Sequence, residues 1–225
     1  MTLYIEMVSD LVCPWCWVGL RRLKGAMELV PELEIEVLFR PFELDPTVPA
    51  GGVDYKEYMK ARFGSDQGRD RANQMRDLLI QYGEEEGIPF HFDQITRRPN
   101  SFNAHRVVRW AQGQGLGMAA KEALFEAVFS KGQDIGDHET LVTISAKIGL
   151  DANLVSDLLS GEADVATTRQ EQDLFRQMGI SGVPTYIAHR QIAVQGAESS
   201  EKLARFLKTA AEHVPASPPT SGATA

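Results

Sequence analysis

Alternation of apolar and polar positions opens the chain. Leu3 to Val8 reads as a strand that runs into Ser9-Asp10. From Trp15 to Val30 the apolar positions fall at Val18, Leu20, Leu23, Met27 and Val30, close to helical spacing, and Pro31 ends the helix. Leu33 to Phe39 alternates again before turning fully apolar, which predicts a second strand. Strand, helix and strand in direct succession form a βαβ unit, so the two strands are expected to run parallel.

Pro41, Pro46, Pro49 and Gly51-Gly52 then break the pattern. From Asp54 to about Gln177 the signals are almost only helical. Segments Asp54–Phe63, Gln67–Gln81, Ser101–Ala111 (behind Asn100 or Ser101 as cap) and Met118–Ser130 have helical character. Asp137 caps a helix through Lys147, Asp151 caps Ala152–Leu159, and Ala163–Met178 follows. Gly149, Gly161 and Gly179 fall where helix ends favour a residue able to take positive φ. After Gly182 the period returns to two. Pro184–His189 and Ile192–Val194 predict a hairpin across Arg190-Gln191, and a last helix spans Glu198 to about Glu212, capped near Ala197 to Ser199. The tail 215–225 is rich in Pro, Ser and Ala and is expected to be disordered. No internal repeat is present. The pattern predicts an α/β fold with a large all-helical insertion: 1–53 and 162–214 form one discontinuous domain, and 54–161 form the insertion.

Composition narrows the function. A chain of 225 residues can bury a proper core. Its net charge of −8 argues against a nucleic-acid surface, which needs clustered Lys and Arg. The short runs Arg21-Arg22 and Arg97-Arg98 read more simply as solvated helix faces or loop ends. No apolar run approaches the roughly 18 residues of a membrane span. The N-terminus lacks a basic stretch followed by an apolar run and a cleavage site, so the expected address is cytoplasmic. Histidines at 91, 105, 138, 189 and 213 are dispersed, and no metal site is expected.

The chemistry lies in Cys13 and Cys16, the only two cysteines. The run Ser9-Asp10-Leu11-Val12-Cys13-Pro14-Trp15-Cys16-Trp17 sits between a strand and a helix. Pro14 suits the first helical position, which makes Cys13 the cap, facing free backbone N–H groups and the positive end of the helix dipole. Both favour the thiolate, the reactive form. A drop of about 2 in a thiol pKa requires about 2.7 kcal/mol. The dipole supplies at most ~2 kcal/mol, so local hydrogen bonds must add the rest. Two residues three apart within a helix hold their Cβ atoms about 5–6 Å apart, whereas a disulfide needs roughly 3.5–4.5 Å. Only a pair whose first member has left helical dihedrals closes easily. Cys13 is therefore expected to attack and Cys16 to resolve.

Together with Gly179-Ile-Ser-Gly182-Val183-Pro184-Thr185, the Cys13-Pro14-Trp15-Cys16 segment resembles the thioredoxin superfamily, specifically its DsbA-like oxidoreductases. The likeness is strongest to the FrnE-like branch, which is related to 2-hydroxychromene-2-carboxylate isomerases and kappa-class glutathione transferases. Ala104-His105-Arg106 and Gly132–Asp137 match as well, and the likeness spans about residues 3–212. The resemblance implies a thioredoxin-like fold and a cis Pro184 packed beside the cysteine pair, with Val183 free to pair with an extended substrate. Pro14 and Trp15 join Val183 and Pro184 as expected substrate contacts. Trp17 suits a lip or a core equally well. Asp10 is a candidate proton relay, with turn capping equally favoured. Asn100 and His105 are candidate glutathione contacts, although His105 more often proves structural. No bound cofactor is implied, and glutathione is a candidate redox partner. The expected partners are thiol- or disulfide-containing proteins or small molecules, with neither nucleic acid nor membrane, and with monomer and homodimer both open. Three functions compete: a dithiol–disulfide oxidoreductase, a glutathione-dependent isomerase or transferase, and a redox sensor. The isomerase class usually lacks the second cysteine, so Cys16 weighs against it.

Overall fold

The computed structural model describes residues 2–213, and the tail expected to be disordered lies outside them. At the centre runs β1 (Leu3–Ser9), buried along nearly all its length, which is why its alternation is imperfect. Helix α1 (Pro14–Glu28) follows, and β2 (Ile35–Pro41) returns parallel to β1, with Leu3 opposite Ile35 and Ser9 opposite Pro41. The expected βαβ unit is present.

The helical block contains α2 (Tyr55–Phe63), α3 (Asp66–Glu86), α4 (Phe102–Gln112), α5 (Gly117–Phe129), α6 (His138–Lys147), α7 (Ala152–Ser160) and α8 (Val165–Gln177). Asp137 and Asp151 cap α6 and α7 as expected, accepting from Thr140 N and from Asn153 N and Leu154 N. Three features depart from the sequence pattern. Val53–Asp54 (β3) pairs antiparallel with Arg97–Arg98 (β4), a ribbon too short to leave a period in the sequence. Helix α3 continues to Glu86 and stops at Gly87, whose φ is 67°. Gly161 is extended at φ −107°, whereas Gly149 and Gly179 do take positive φ.

Beyond α8, β5 (Thr185–Ala188) and β6 (Ile192–Gln195) form the hairpin, and α9 (Ser200–Glu212) closes the chain behind Ser199 as cap. The sheet order is β2-β1-β5-β6. Antiparallel pairing sets Val8 of β1 opposite Thr185 of β5, so the segment leaving β1 and the segment entering β5 meet at one end of the sheet. Helices α1 and α9 pack together, while α4, α5 and α8 touch β2. Trp17 ties α1 to the insertion. It stacks on Phe125 and Phe129 of α5 at 6.1 and 6.2 Å between ring centroids, and it meets Phe90 edge-on at 5.6 Å. Trp17 is therefore core.

The hairpin turn lies one residue earlier than expected. His189 and Arg190 take φ 54° and 56°, and Gln191 N closes the turn on Ala188 O at 3.0 Å. Left-handed backbone costs a side-chain-bearing residue roughly 1–2 kcal/mol. Arg190→Gly is expected to stabilise the protein by about 0.5–1 kcal/mol in urea denaturation, after the entropy cost of glycine is subtracted. A loss of stability would contradict this backbone assignment.

Candidate active site

Cys13 stands where β1 has ended and α1 begins. It is the N-cap of α1, extended at φ −107° and ψ 109°, and Pro14 is the first helical residue. Cys16 N donates to Cys13 O at 3.0 Å, one turn on. Cys13 is 5% exposed, and Cys16 is fully buried. The two cysteines are free thiols here.

The Val183–Pro184 peptide bond is cis, and Cys13 Sγ lies 3.9 Å from Val183 O. Gly19 permits this approach. A Cβ at that position would meet Pro184 Cγ at 2.8 Å and collide with the Tyr186 hydroxyl. The glycine on α1 thus lets the Pro184 strand come close beside the cysteines.

The Asp10 carboxylate braces the loop leading to Cys13. It is buried, and its Oδ1 accepts from Ser101 Oγ at 2.7 Å and Val12 N at 3.3 Å. Its Oδ2 accepts from Leu44 N at 2.8 Å. His105 Nε2 stands 3.7 Å from Oδ1, beyond hydrogen-bond reach, so its influence acts through space. Burial pushes the Asp10 pKa up, but His105, the Arg98 charge and the Leu44 N–H outweigh it and hold the group below its ordinary value. A carboxylate so occupied positions the loop better than it carries protons.

One group whose charge acts on the buried thiol was not among the expected site residues. Lys121 of α5 is fully buried, and its Nζ donates to Ser9 Oγ at 2.8 Å. It makes no ion pair among the described residues. Burial lowers its pKa to about 8, against the pull of Cys16, Asp10 and Cys13 in the other direction. Burial, the hydrogen bond with Cys13 and the Cys13 charge push the Cys16 thiol well above its usual pKa, while Lys121 and a backbone hydrogen bond from Asp10 oppose them. Lys121 was findable. It falls on the same stripe as Gly117, Ala120, Leu124 and Phe125, all buried, where a lysine is out of place.

Other expected contacts divide. Pro14, Trp15 and Val183 line, with Cys13, a cavity of about 670 Å³ that runs beneath α2 and α3. Trp15 is half-buried and meets the Tyr82 ring edge-on at 5.9 Å. Asn100 and His105 are not on that wall. The Asn100 side chain is used at both ends, donating to Val48 O at 2.7 Å and accepting from Phe102 N at 2.9 Å.

A family model for the DSBA-like thioredoxin domain matches residues 4–208. The chain is 27% identical over 194 residues to "Uncharacterized protein YwbO" of Bacillus subtilis (strain 168), covering 83% of this chain and 87% of that one. Its fold is similar to that of the probable DsbA oxidoreductase SCO1869 from Streptomyces coelicolor, with TM-score 0.86 and 28% identity over 96% and 93% of the two chains. The cytosolic disulfide reductase DsbM from Pseudomonas aeruginosa, solved with GSH, shares the fold at TM-score 0.61 and 21% identity, over 93% of this chain and all of that one.

A buried ammonium without an ion-pair partner costs stability, and the cost depends on pH. Below about pH 8 both folded and unfolded protein hold the Lys121 proton, so the full cost is felt. From about pH 8 toward 10.5 the folded protein sheds it while the unfolded chain keeps it, so stability rises with pH. Lys121→Met is therefore expected to be more stable than wild type at pH 7, by about 1–3 kcal/mol in urea denaturation of the reduced proteins. The advantage should shrink toward pH 10. A variant that is less stable at pH 7, or a gap insensitive to pH, would contradict the placement of Lys121.

Proposed function

Because this chain belongs to the DSBA-like thioredoxin domain family, we propose that it is a thiol–disulfide oxidoreductase with Cys13 as nucleophile and Cys16 as resolving thiol. The observation that carries this reading is the asymmetry of the pair: Cys13 lines the cavity, and Cys16 is sealed behind it. Only one sulfur of the two is offered to a substrate.

In the reducing direction the Cys13 thiolate attacks one sulfur of a substrate disulfide. A Cys13–substrate bond forms, and the other half leaves as a thiolate. Cys16 then gives up its proton and displaces the bound half, leaving a Cys13–Cys16 disulfide and a second substrate thiolate. The substrate has gained two electrons, and the protein dithiol has lost two. The same geometry runs in reverse to oxidise a dithiol. The second step is obstructed by the raised pKa of Cys16, and Lys121 is the group suited to ease it. Below about pH 8 it is an ammonium, whose charge favours the Cys16 thiolate as the proton leaves. Val183, beside Cys13, is suited to hold an extended substrate by backbone pairing.

We place the reaction in the cytoplasm, with glutathione as the reductant that recycles the pair. The GSH present in the DsbM structure supports that choice of partner. Among the described residues no helix is long and apolar enough to cross a membrane.

Cys13→Ser should reduce disulfide turnover to the uncatalysed background. Cys16→Ser should complete the first step and stall, trapping about one equivalent of mixed disulfide per chain, read by intact mass. A Cys16→Ser protein with undiminished turnover would contradict the resolving role and favour the glutathione-dependent isomerase or transferase reading. A Cys13→Ser protein that still turns over would overturn the assignment altogether.

A further inference from the structure

The cavity at Cys13 has a wall of one charge sign. Lys56, Arg62, Arg76, Arg97 and Arg98 all line it, and no Asp or Glu does, although acidic residues outnumber basic ones in this chain. Arg97 is already engaged, with Asp134 at 3.3 Å and with the Gly51 carbonyl. Arg98 is not. It is 7% exposed, its Nη1 donates to Val12 O at 3.0 Å, and its Nε has no hydrogen-bond partner. Its guanidinium carbon lies 5.2 Å from the centre of the Tyr58 ring. Asp10 feels the Arg98 charge, but the oxygens of Asp10 are committed to Ser101, Val12 and Leu44, and among the described residues Arg98 forms no ion pair. A buried guanidinium left so is costly, and an anion beside it would relieve the cost.

Apart from Asn73, Tyr55 and Tyr58, the remainder of the wall is apolar. Met59, Phe63, Met75, Leu79, Phe92 and Phe129 present a surface that polar peptides do not fill, within a volume of about 670 Å³ that suits a small organic molecule. Val12, whose carbonyl accepts from Arg98, precedes Cys13 in the chain, and Arg98 and Cys13 line the same cavity.

We propose that this chamber takes small molecules with an apolar, aromatic-sized body and a carboxylate, the carboxylate meeting Arg98 and the body lying under α2 and α3. Resting on the oxidoreductase reading above, this makes the substrate class of the cysteine pair a carboxylated aryl or alkyl disulfide, in preference to a neutral one.

Two measurements test the site and the chemistry separately. The first is equilibrium binding of 2-naphthoate and of 2-naphthamide, neither of which contains sulfur, followed through quenching of Trp15 against a Trp15→Phe control. The acid should bind at least about tenfold more tightly than the amide, a difference of 1.4 kcal/mol. That preference should collapse in Arg98→Met, survive in Arg98→Lys, and persist in Cys13→Ser. The second is single-turnover reduction of bis(3-carboxyphenyl) disulfide and of its diamide by the pre-reduced protein. The acid-to-amide ratio of rate constants, read within each variant so that a general loss of activity cancels, should fall toward one in Arg98→Met. Equal binding of acid and amide by the wild-type protein, which needs no variant to fold, would overturn the proposal. So would an acid preference that Arg98→Met leaves intact. Preferential naphthoate binding without turnover of either disulfide would uphold the site and sink the oxidoreductase reading. Turnover of both disulfides at equal rates would do the opposite.

Discussion

The pairing of β1 with β5 places Val8 opposite Thr185, and the arrangement at the cysteines depends on that register. Strand side chains alternate faces, so a slip of one residue would turn every β5 side chain to the opposite face. Tyr186 would then leave its buried position against Gly19, and the Val183 carbonyl would leave Cys13. Burial on both faces holds the register. Ile5, Met7 and Val8 are fully buried on one strand, and Tyr186 and Ala188 on the other.

Within that frame the site is built from opposed costs. Cys16 is placed where burial resists its charged form, and Lys121 is placed where burial resists its own. Each is the other's remedy. Once Cys16 has lost its proton, the Lys121 ammonium and the Cys16 thiolate offset one another's burial, in a region where charge interactions are weakly screened. Asp10 belongs to a different part of this design. By accepting from Val12, Leu44 and Ser101 it fastens the Cys13 loop to the chain leaving β2 and to the start of α4, so the cysteine pair and the helical insertion share one polar joint.

Local signals carried most of the fold. The period-two runs of β1 and β2, the Asp caps at 137 and 151, and Pro14 between the cysteines each act within a few residues, and each appears where the pattern places it. What local pattern could not carry is contact across the chain. The β3–β4 ribbon joins residues more than forty positions apart through two residues on each side. Lys121 lies 112 positions from the Ser9 hydroxyl that it donates to, and its meaning appears only once α5 packs against the end of β1. The chamber wall is similar. Arg98 read as part of a solvated basic pair because its neighbours in sequence say nothing of the apolar surface drawn in by α2 and α3. Asn100, singled out by likeness, has its side chain hydrogen-bonded to Val48 and Phe102.

The central claim is that one sulfur is offered and the other withheld. Substoichiometric alkylation of the native, reduced protein at pH 7, with the label located by peptide fragmentation, reads that difference directly. The account predicts that Cys13 takes nearly all the label while Cys16 stays unmodified until the protein is unfolded. Equal labelling of the two, or labelling of Cys16 first, would contradict it.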